Sequence, residues 1–321
     1  MPAIKVLSPA KLNLTFAIQG LLGDGYHKVE TLLQAVDLFD ELILTIEPGS
    51  AFQVTIQGEG DHFPKDETNL IARAARLFQE RIVSEQPFAL CAELKKRIPV
   101  GAGLGGGSSN AAACLVALNH FFSYPATQDK LKELGAELGA DVPFLIEGGT
   151  AIGRHRGDIL QAVESRLELY FCIVKPRLLS VSTPWAYRQF DSYEGEVAGG
   201  DLPLAVEAMQ EGNLSLALKS FGNVFEPVVF AQFPQLARLK QTLVDFGCLA
   251  CHLSGSGPAL YAVVADGKQA EAVGLYLEQS GADLFVADGS ASDDRQQPLE
   301  FFIAGSLESG VRIIQPTSAT S

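Results

Sequence analysis

The stretch Lys95-Lys96-Arg97-Ile98-Pro99-Val100-Gly101-Ala102-Gly103-Leu104-Gly105-Gly106-Gly107-Ser108-Ser109-Asn110 runs straight into Ala111-Ala112-Ala113-Cys114-Leu115 and separates two hydrophobic periodicities. Upstream, Phe88, Leu90, Ala92 and Leu94 alternate with other residues, the period of a strand. Downstream, Ala111, Leu115, Leu118 and Phe122 recur on one face of a helix. The predicted unit is strand, glycine-rich loop, helix. Glycines let backbone N–H groups approach an anion, and a helix N-terminus adds unpaired donors and the positive end of its dipole. Ser108 and Ser109, at the helix start, can cap it or reach phosphate and metal. A merely flexible loop needs neither this glycine density nor the alanine-rich helix fused to it. The stretch reads as a cradle for nucleotide phosphates.

Working outward, 321 residues suffice for two domains, and 47% hydrophobic with 19% charged residues describes an ordinary globular composition. A formal charge of −14 argues against nucleic acid as a partner, since that needs clustered Lys and Arg. Lys95 to Arg97 then stand out as a local basic pocket for phosphate. Five scattered cysteines do not make a disulfide framework. The opening Met-Pro-Ala-Ile-Lys carries no apolar signal segment and no apolar run reaches membrane-span length, so a cytoplasmic protein without a membrane partner is expected.

Leu12, Leu14, Phe16 and Ile18 alternate with Lys11, Asn13 and Thr15, which predicts a strand with an apolar and a polar face. A lysine on such a polar face is ordinarily just solvated. Gly23-Asp24-Gly25 marks a turn that presents Tyr26 and His27, a pair able to stack on a flat ring. Val29 to Ile46 reads as two strands, Gly58 to Asp66 as a polar loop, and Thr68 as the N-cap of a helix through Leu70, Ala74 and Phe78. Leu131, Leu134 and Leu138 outline a helix that Gly139 closes. Asp141 follows, before Val142-Pro143-Phe144-Leu145; it is a turn or N-cap aspartate, or a carboxylate whose apolar surroundings suit a proton acceptor.

A boundary near Val163 divides 1–163 from 164–321. Leu167 to Val174 opens the second part as a strand, and Thr183 is expected to cap a helix with Pro184 at its first position. Helical patterns run from Leu202 to Phe221 and from Leu236 to Phe246. A second glycine turn, Ser254-Gly255-Ser256-Gly257-Pro258, sits between strands at Leu249 to Leu253 and Leu260 to Val264, with helix again at Val273 to Leu277. The polar stretch from Asp288 to Pro298 and the Ser/Thr-rich end after Pro316 are expected to be mobile.

Several literal motifs mislead. Gly101 to Gly106 satisfies G-x-G-x-x-G, but the segment after its helix is another helix, which leaves no strand for a ribose-binding acid. Asp245-Phe246-Gly247 spells a protein-kinase signature without the His-Arg-Asp catalytic loop, and no Gly-Lys-Ser/Thr ends the glycine stretch as in a Walker loop. Cys248-Leu249-Ala250-Cys251-His252 matches a haem-attachment pattern but alternates as a strand, so core cysteines are expected.

Taken together, Pro9-Ala10-Lys11-Leu12-Asn13-Leu14, the Pro99 to Ser109 loop and Leu253-Ser254-Gly255-Ser256-Gly257-Pro258 resemble three motifs of the GHMP kinase superfamily of small-molecule kinases. Asp24 to His27 with Glu30-Thr31, and Leu138 to Phe144, narrow the resemblance to the branch that phosphorylates a cytidyl-diphospho sugar alcohol of the non-mevalonate isoprenoid route. The resemblance covers nearly the whole chain and weakens after about Gly281. It implies an α+β fold of two domains, with the active site in the cleft between them, and ATP with Mg²⁺ as cofactors. Lys11 and Asp141 would be the catalytic pair. Pro99, Val100, Gly101, Ala102, Gly103, Leu104, Gly105, Gly106, Gly107, Ser108 and Ser109 would wrap the triphosphate, with Asn69, Leu70 and Lys96 on the adenine and ribose side. Tyr26, His27 and Tyr187 would grip the cytosine, with Trp185 the alternative to Tyr187 and with Asn13 and Thr183 assisting. His155 stands where the family usually has glycine, Asp158 where it usually has glutamate, and Asn110 where many members have aspartate, so Asn110 receives no metal role and no metal ligand is assigned. A superfamily kinase acting on mevalonate, a sugar or homoserine, and a nucleotide-binding regulator without turnover, are the alternatives. Tyr26, His27 and Tyr187 argue against the first, and Lys11 with Asp141 against the second.

Overall fold

Strands β1 (Ala3–Leu21) and β2 (His27–Pro48) run antiparallel along almost their whole length, and the first half of the molecule is laid against them. The computed structural model describes residues 3–60, 63–280 and 299–314. Where two strands were expected between Val29 and Ile46 there is one, its Thr31 to Val36 stretch buried on both faces, so that no alternation marks its course there. There follow β3 (Gln53–Glu59), α1 (Leu70–Arg81), β4 (Phe88–Lys95), α2 (Gly106–Phe121), α3 (Gln128–Leu138), α4 (Val142–Glu147), β5 (Thr150–His155) and β6 (Ile159–Val163). The second half comprises β7 (Tyr170–Pro176), α5 (Thr183–Asp191), α6 (Leu202–Glu211), α7 (Leu214–Ser220), β8 (Gly222–Asn223), α8 (Glu226–Gln232), α9 (Pro234–Asp245), β9 (Ala250–Leu253), β10 (Leu260–Val264) and α10 (Gly267–Ser280). Two more strands, β11 (Leu299–Gly305) and β12 (Arg312–Ile314), come last, and no periodicity in the sequence announces them. The stretch Asp288 to Pro298 and the end after Pro316 lie outside the described residues.

One sheet has the order β12-β1-β2-β4-β3, with β5 and β6 continuing from the other end of β2 and β8 touching β1. The other has the order β11-β7-β10-β9. Three apolar layers result. Val6, Leu33, Leu42 and Leu44 pack against Ile71, Phe78, Leu115 and Leu118 of the first-half helices. Leu12, Leu14, Leu32 and Val36 pack against Phe171, Ile173, Tyr261 and Val263, joining the two sheets. Behind the second sheet, Cys172, Cys251 and Leu260 meet Leu239, Leu243 and Val273. Among the described residues no helix is long and apolar enough to cross a membrane.

A register shift between Pro9 and Ala10 positions the site. Before it, Ile4 and Val6 face the helical layer; after it, Ala10, Leu12 and Leu14 face the second sheet. A bulge that changes strand parity re-aims every side chain beyond it. Lys11 and Asn13 thereby point away from the inter-sheet layer. They are 4% and 2% exposed, and Thr15 is 1% exposed, so the predicted solvated face is a buried polar row.

Local caps differ from expectation at two helices. Asn69, and not Thr68, caps α1, its side chain accepting from the Ile71 N–H at 2.8 Å. Thr68 instead donates its hydroxyl to Asp66. Ser182 occupies the N-cap position of α5, leaving Thr183 inside the first turn with its hydroxyl 2.8 Å from that of Ser256. At His155 the backbone is left-handed, with φ of 65°, a region that favours glycine. Asp158 secures the turn by bonding the His155 ring at 3.0 Å and the Arg156 N–H at 3.1 Å.

Candidate active site

The glycine loop separates two cavities of ≈ 330 Å³ and ≈ 230 Å³, and Gly103, Gly105 and Ser108 line both. The loop is held rigidly. Gly103 has φ of +81°, and a Cβ there would lie 2.1 Å from the Ser254 carbonyl oxygen, so this backbone contact requires glycine. The Ser254 hydroxyl donates to the Gly103 carbonyl at 3.1 Å, and the Ala259 N–H donates to the Ala102 carbonyl at 3.2 Å. The second glycine turn is thus the brace of the first. Asn223 holds that brace, donating to the carbonyls of Leu253 and Gly255 at 2.7 and 2.8 Å. Gly105, at φ of +71°, occupies the N-cap of α2 and offers no side-chain cap, so the first-turn N–H groups of α2 stay available to a ligand.

The larger cavity gathers Asn69, Leu70, Lys96, the loop from Pro99 to Gly107, and Ser108. Ser109 is different. It is fully buried and does not line the cavity, and its Oγ has no hydrogen-bond partner. Lys96 is anchored as well as cavity-lining: its Nζ lies 2.6 Å from Asp40 Oδ2 and donates to the Ile98 carbonyl at 2.6 Å. Asp40 also accepts from the N–H groups of Arg97 and Ile98 at 2.7 and 2.8 Å and from Asn110 at 2.9 Å. Asn110 donates in addition to Ser8 at 2.8 Å, so it is spent on structure. Sequence reading missed Asp40, which stands between two other acids of the same strand, Asp37 and Glu41, and carries no local signal of its own.

The smaller cavity brings together Lys11, Asn13, Asp141, Thr183 and Tyr187, with Gly255 and Ser256 from the second turn. Lys11 donates to Asn13 Oδ1 at 2.6 Å, Asn13 donates to Thr31 at 2.9 Å, and Thr31 donates to the Thr15 carbonyl at 2.6 Å. This chain fixes the ammonium, whose other neighbour is Asp141 Oδ2 at 3.7 Å. Asp141 occupies the N-cap position of α4 yet makes no capping bond, and its side chain is 35% exposed. The turn reading of Asp141 is therefore correct for its backbone and leaves its carboxylate free for chemistry.

Tyr26 and His27 are not among the residues lining this cavity. His27 stacks on Tyr187 with centroids 4.5 Å apart, and its Nε2 lies 2.7 Å from Asp191. Tyr26 is 58% exposed, with the Arg156 guanidinium 3.9 Å above its ring and paired with Asp24. Arg156 itself lines the cavity and was missed by sequence reading. Tyr187 sits edge-on to Phe225 at 4.9 Å, whereas Trp185 packs on Phe233 outside the cavity lining. Burial, and then the Asp141 charge, push the Tyr187 phenol far above its ordinary ionisation range.

The arrangement can hold a polyanion on one side of the loop and a polar acceptor on the other, with a lysine and a carboxylate lining the smaller cavity. Among the described residues no three His, Cys, Asp or Glu side chains converge as a metal cage. The hard oxygen donors lining the smaller cavity, Ser108 and Asp141, suit a Mg²⁺ ion that keeps waters and takes its remaining ligands from phosphate.

Residues 69–149 match the GHMP kinases N terminal domain, and residues 197–283 match GHMP kinases C terminal. The chain is 36% identical over 263 residues to 4-diphosphocytidyl-2-C-methyl-D-erythritol kinase of Alkaliphilus metalliredigens, covering 82% of this chain and 88% of the relative. It is 34% identical over 331 residues to the enzyme of that name from a Nostoc species, covering 98% and 99%. A crystal structure of 4-(cytidine 5'-diphospho)-2C-methyl-D-erythritol kinase superposes with a TM-score of 0.70 at 29% identity, covering 95% of this chain and 100% of the other. Homoserine kinase from Cytophaga hutchinsonii superposes with a TM-score of 0.75 at 21% identity over 98% of both chains, a likeness of fold.

Proposed function

The chain belongs to the GHMP kinases, in the group of the 4-diphosphocytidyl-2-C-methyl-D-erythritol kinases, and on that footing we propose the reaction it performs. It transfers the γ-phosphoryl group of ATP to the 2-hydroxyl of 4-diphosphocytidyl-2-C-methyl-D-erythritol, on the non-mevalonate route to isoprenoid precursors. The observation carrying this reading is the Lys11–Asp141 pair in the smaller of two cavities that share the lining residues Gly103, Gly105 and Ser108 of the glycine loop.

The triphosphate lies along Pro99 to Ser108, where free N–H groups of α2 and the dipole end meet its charge, with Asn69, Leu70 and Lys96 toward the nucleoside. The acceptor hydroxyl enters from the smaller cavity. Asp141 accepts its proton, and Lys11 stabilises charge on the transferring group and on Asp141. Ser108 and Asp141 would hold a Mg²⁺ ion, which would supply neutralisation of phosphate charge. Asn13 and Thr183 face the sugar alcohol, and Tyr26, His27 and Tyr187 supply the flat surfaces for cytosine. Since His27 and Tyr187 already stack on each other, a pyrimidine between them requires that pair to part.

The test is coupled ADP release over a panel containing the cytidyl substrate, mevalonate, homoserine and simple sugars, with and without Mg²⁺. Turnover confined to the cytidyl substrate and dependent on Mg²⁺ is expected. Turnover of another alcohol in its place overturns the substrate assignment, and silence on the whole panel overturns catalysis.

A further inference from the structure

We infer that residues 306–311, which touch neither cavity, are a positioning strap for Asp141. The inference rests on the reading of Asp141 as the base. Helix α4 has six residues, too few to be stable by itself, and its last carbonyls have no partners within it. Asp141 at its start makes no capping bond, so its carboxylate is placed by the backbone of α4 together with the Lys11 ammonium at 3.7 Å. On one side, α3 packs tightly enough that a Cβ on Gly135 would lie 2.9 Å from Val142 Cγ1.

On the other side lies the strap. The Gly310 N–H donates to the Glu147 carbonyl at 2.8 Å, and the Val311 N–H donates to the Leu145 carbonyl at 3.0 Å. The backbones touch: a Cβ on Gly310 would be 2.3 Å from Leu145 O and 2.8 Å from Ile146 O. The strap is itself tied down, by Leu307 N–H to the Ala35 carbonyl at 2.8 Å and by the buried Gln34 amide to the Leu307 carbonyl at 3.1 Å. It runs from β11 on the second sheet, past a bridge between Ser306 and Val36, to β12 on the first. Both sheets therefore bear on the helix that carries Asp141. None of residues 306–311 lines either cavity, so a disturbance of the strap reaches the chemistry through Asp141 and not through ligand contacts.

The experiment uses the full chain with Gly310→Ala, Asp141→Asn and the double variant. A displacement of about 1 Å can cost ~10²-fold in rate, so Gly310→Ala should lower kcat at least about 10-fold. KM for ATP should stay within about twofold, and the substitution should cost no further rate on the Asp141→Asn background. Undiminished kcat in Gly310→Ala, or equal additional losses in the double variant, overturns the strap. Full turnover in Asp141→Asn alone overturns the base, and the strap loses its target. Should Gly310→Ala not fold, Leu307→Ala loosens the strap while sparing its backbone contacts. It should then show the same kcat-only loss at smaller size, and an unchanged kcat overturns the proposal.

Discussion

Two lysine–aspartate pairs flank the glycine loop, and they are built to opposite ends. Lys96 and Asp40 lie 2.6 Å apart with side chains 3% and 0% exposed, and Asp40 accepts from Lys96, two backbone N–H groups and Asn110. Lys11 and Asp141 lie 3.7 Å apart, and Asp141 is 35% exposed. A carboxylate taken wholly out of water costs several kcal/mol unless its oxygens are occupied. Asp40 meets that cost with four donors, three of which lie on or beside the loop, so its work is to fix backbone. Asp141 keeps contact with solvent and keeps unoccupied oxygen, and can take a substrate hydroxyl without first breaking a structural bond. The same two residue types form a closed rivet or an open pair, the one proposed as the reaction centre, according to how completely the pair is satisfied.

The comparison breaks most readily from the open side. Asp141→Asn should lower kcat about 10³-fold, with the melting temperature and KM for ATP nearly unchanged; near-normal turnover in coupled ADP release removes Asp141 as the base. The closed pair should show the inverse pattern. Asp40→Ala removes the buried carboxylate shared by Lys96, the Arg97 and Ile98 N–H groups and Asn110, and should cost about 3 kcal/mol or more of stability. Urea unfolding reads this, and an unchanged midpoint shows that the pair is no rivet.

Smaller effects sharpen the contrast. Tyr187→Ala should raise KM for the cytidyl substrate about 10-fold through lost ring contact, and Tyr187→Phe should leave it nearly unaltered; equal KM values for both remove Tyr187 from the substrate site. The smallest effect is spectroscopic. Because burial and Asp141 raise the Tyr187 phenol above the ordinary tyrosine value of 10.0, the stability gained by keeping it neutral is complete below that pH and is lost as pH rises toward the folded value. Asp141→Asn removes one of those causes, so one tyrosine should titrate earlier in tyrosinate absorbance, whereas Asp40→Ala should leave the onset in place. No shift in the Asp141 variant would mean that the two groups do not sense each other.

What could be read in advance followed the range of the interaction. The strand before the glycine loop, the helix after it, the second glycine turn and the Gly139 stop are local patterns, and each stands where its spacing put it. Caps were legible only to within a residue: Asn69 for Thr68, Ser182 for Thr183. Strand β2 was misread because burial on both faces from Thr31 to Val36 erased its period there. Asp40, Asn223 and Arg156 carried no motif, since each acts on partners distant in sequence.

The sequence by itself determined a glycine loop fused to a helix, the presence of Lys11 and Asp141, and a resemblance strong enough to name a kinase superfamily. Local backbone preference and short periodicities are written in neighbouring residues, and a motif is a record of chemistry. Only the tertiary structure decided that the Pro9–Ala10 bulge turns Lys11 from a solvated face into a buried site. It alone decided that Asp40 and Asn223 lock the two glycine turns, and that Gly310 and Val311, between β11 and β12, bond to the helix after Asp141. Those outcomes depend on parity, burial and hydrogen bonds between segments tens to hundreds of residues apart, which no window of sequence contains.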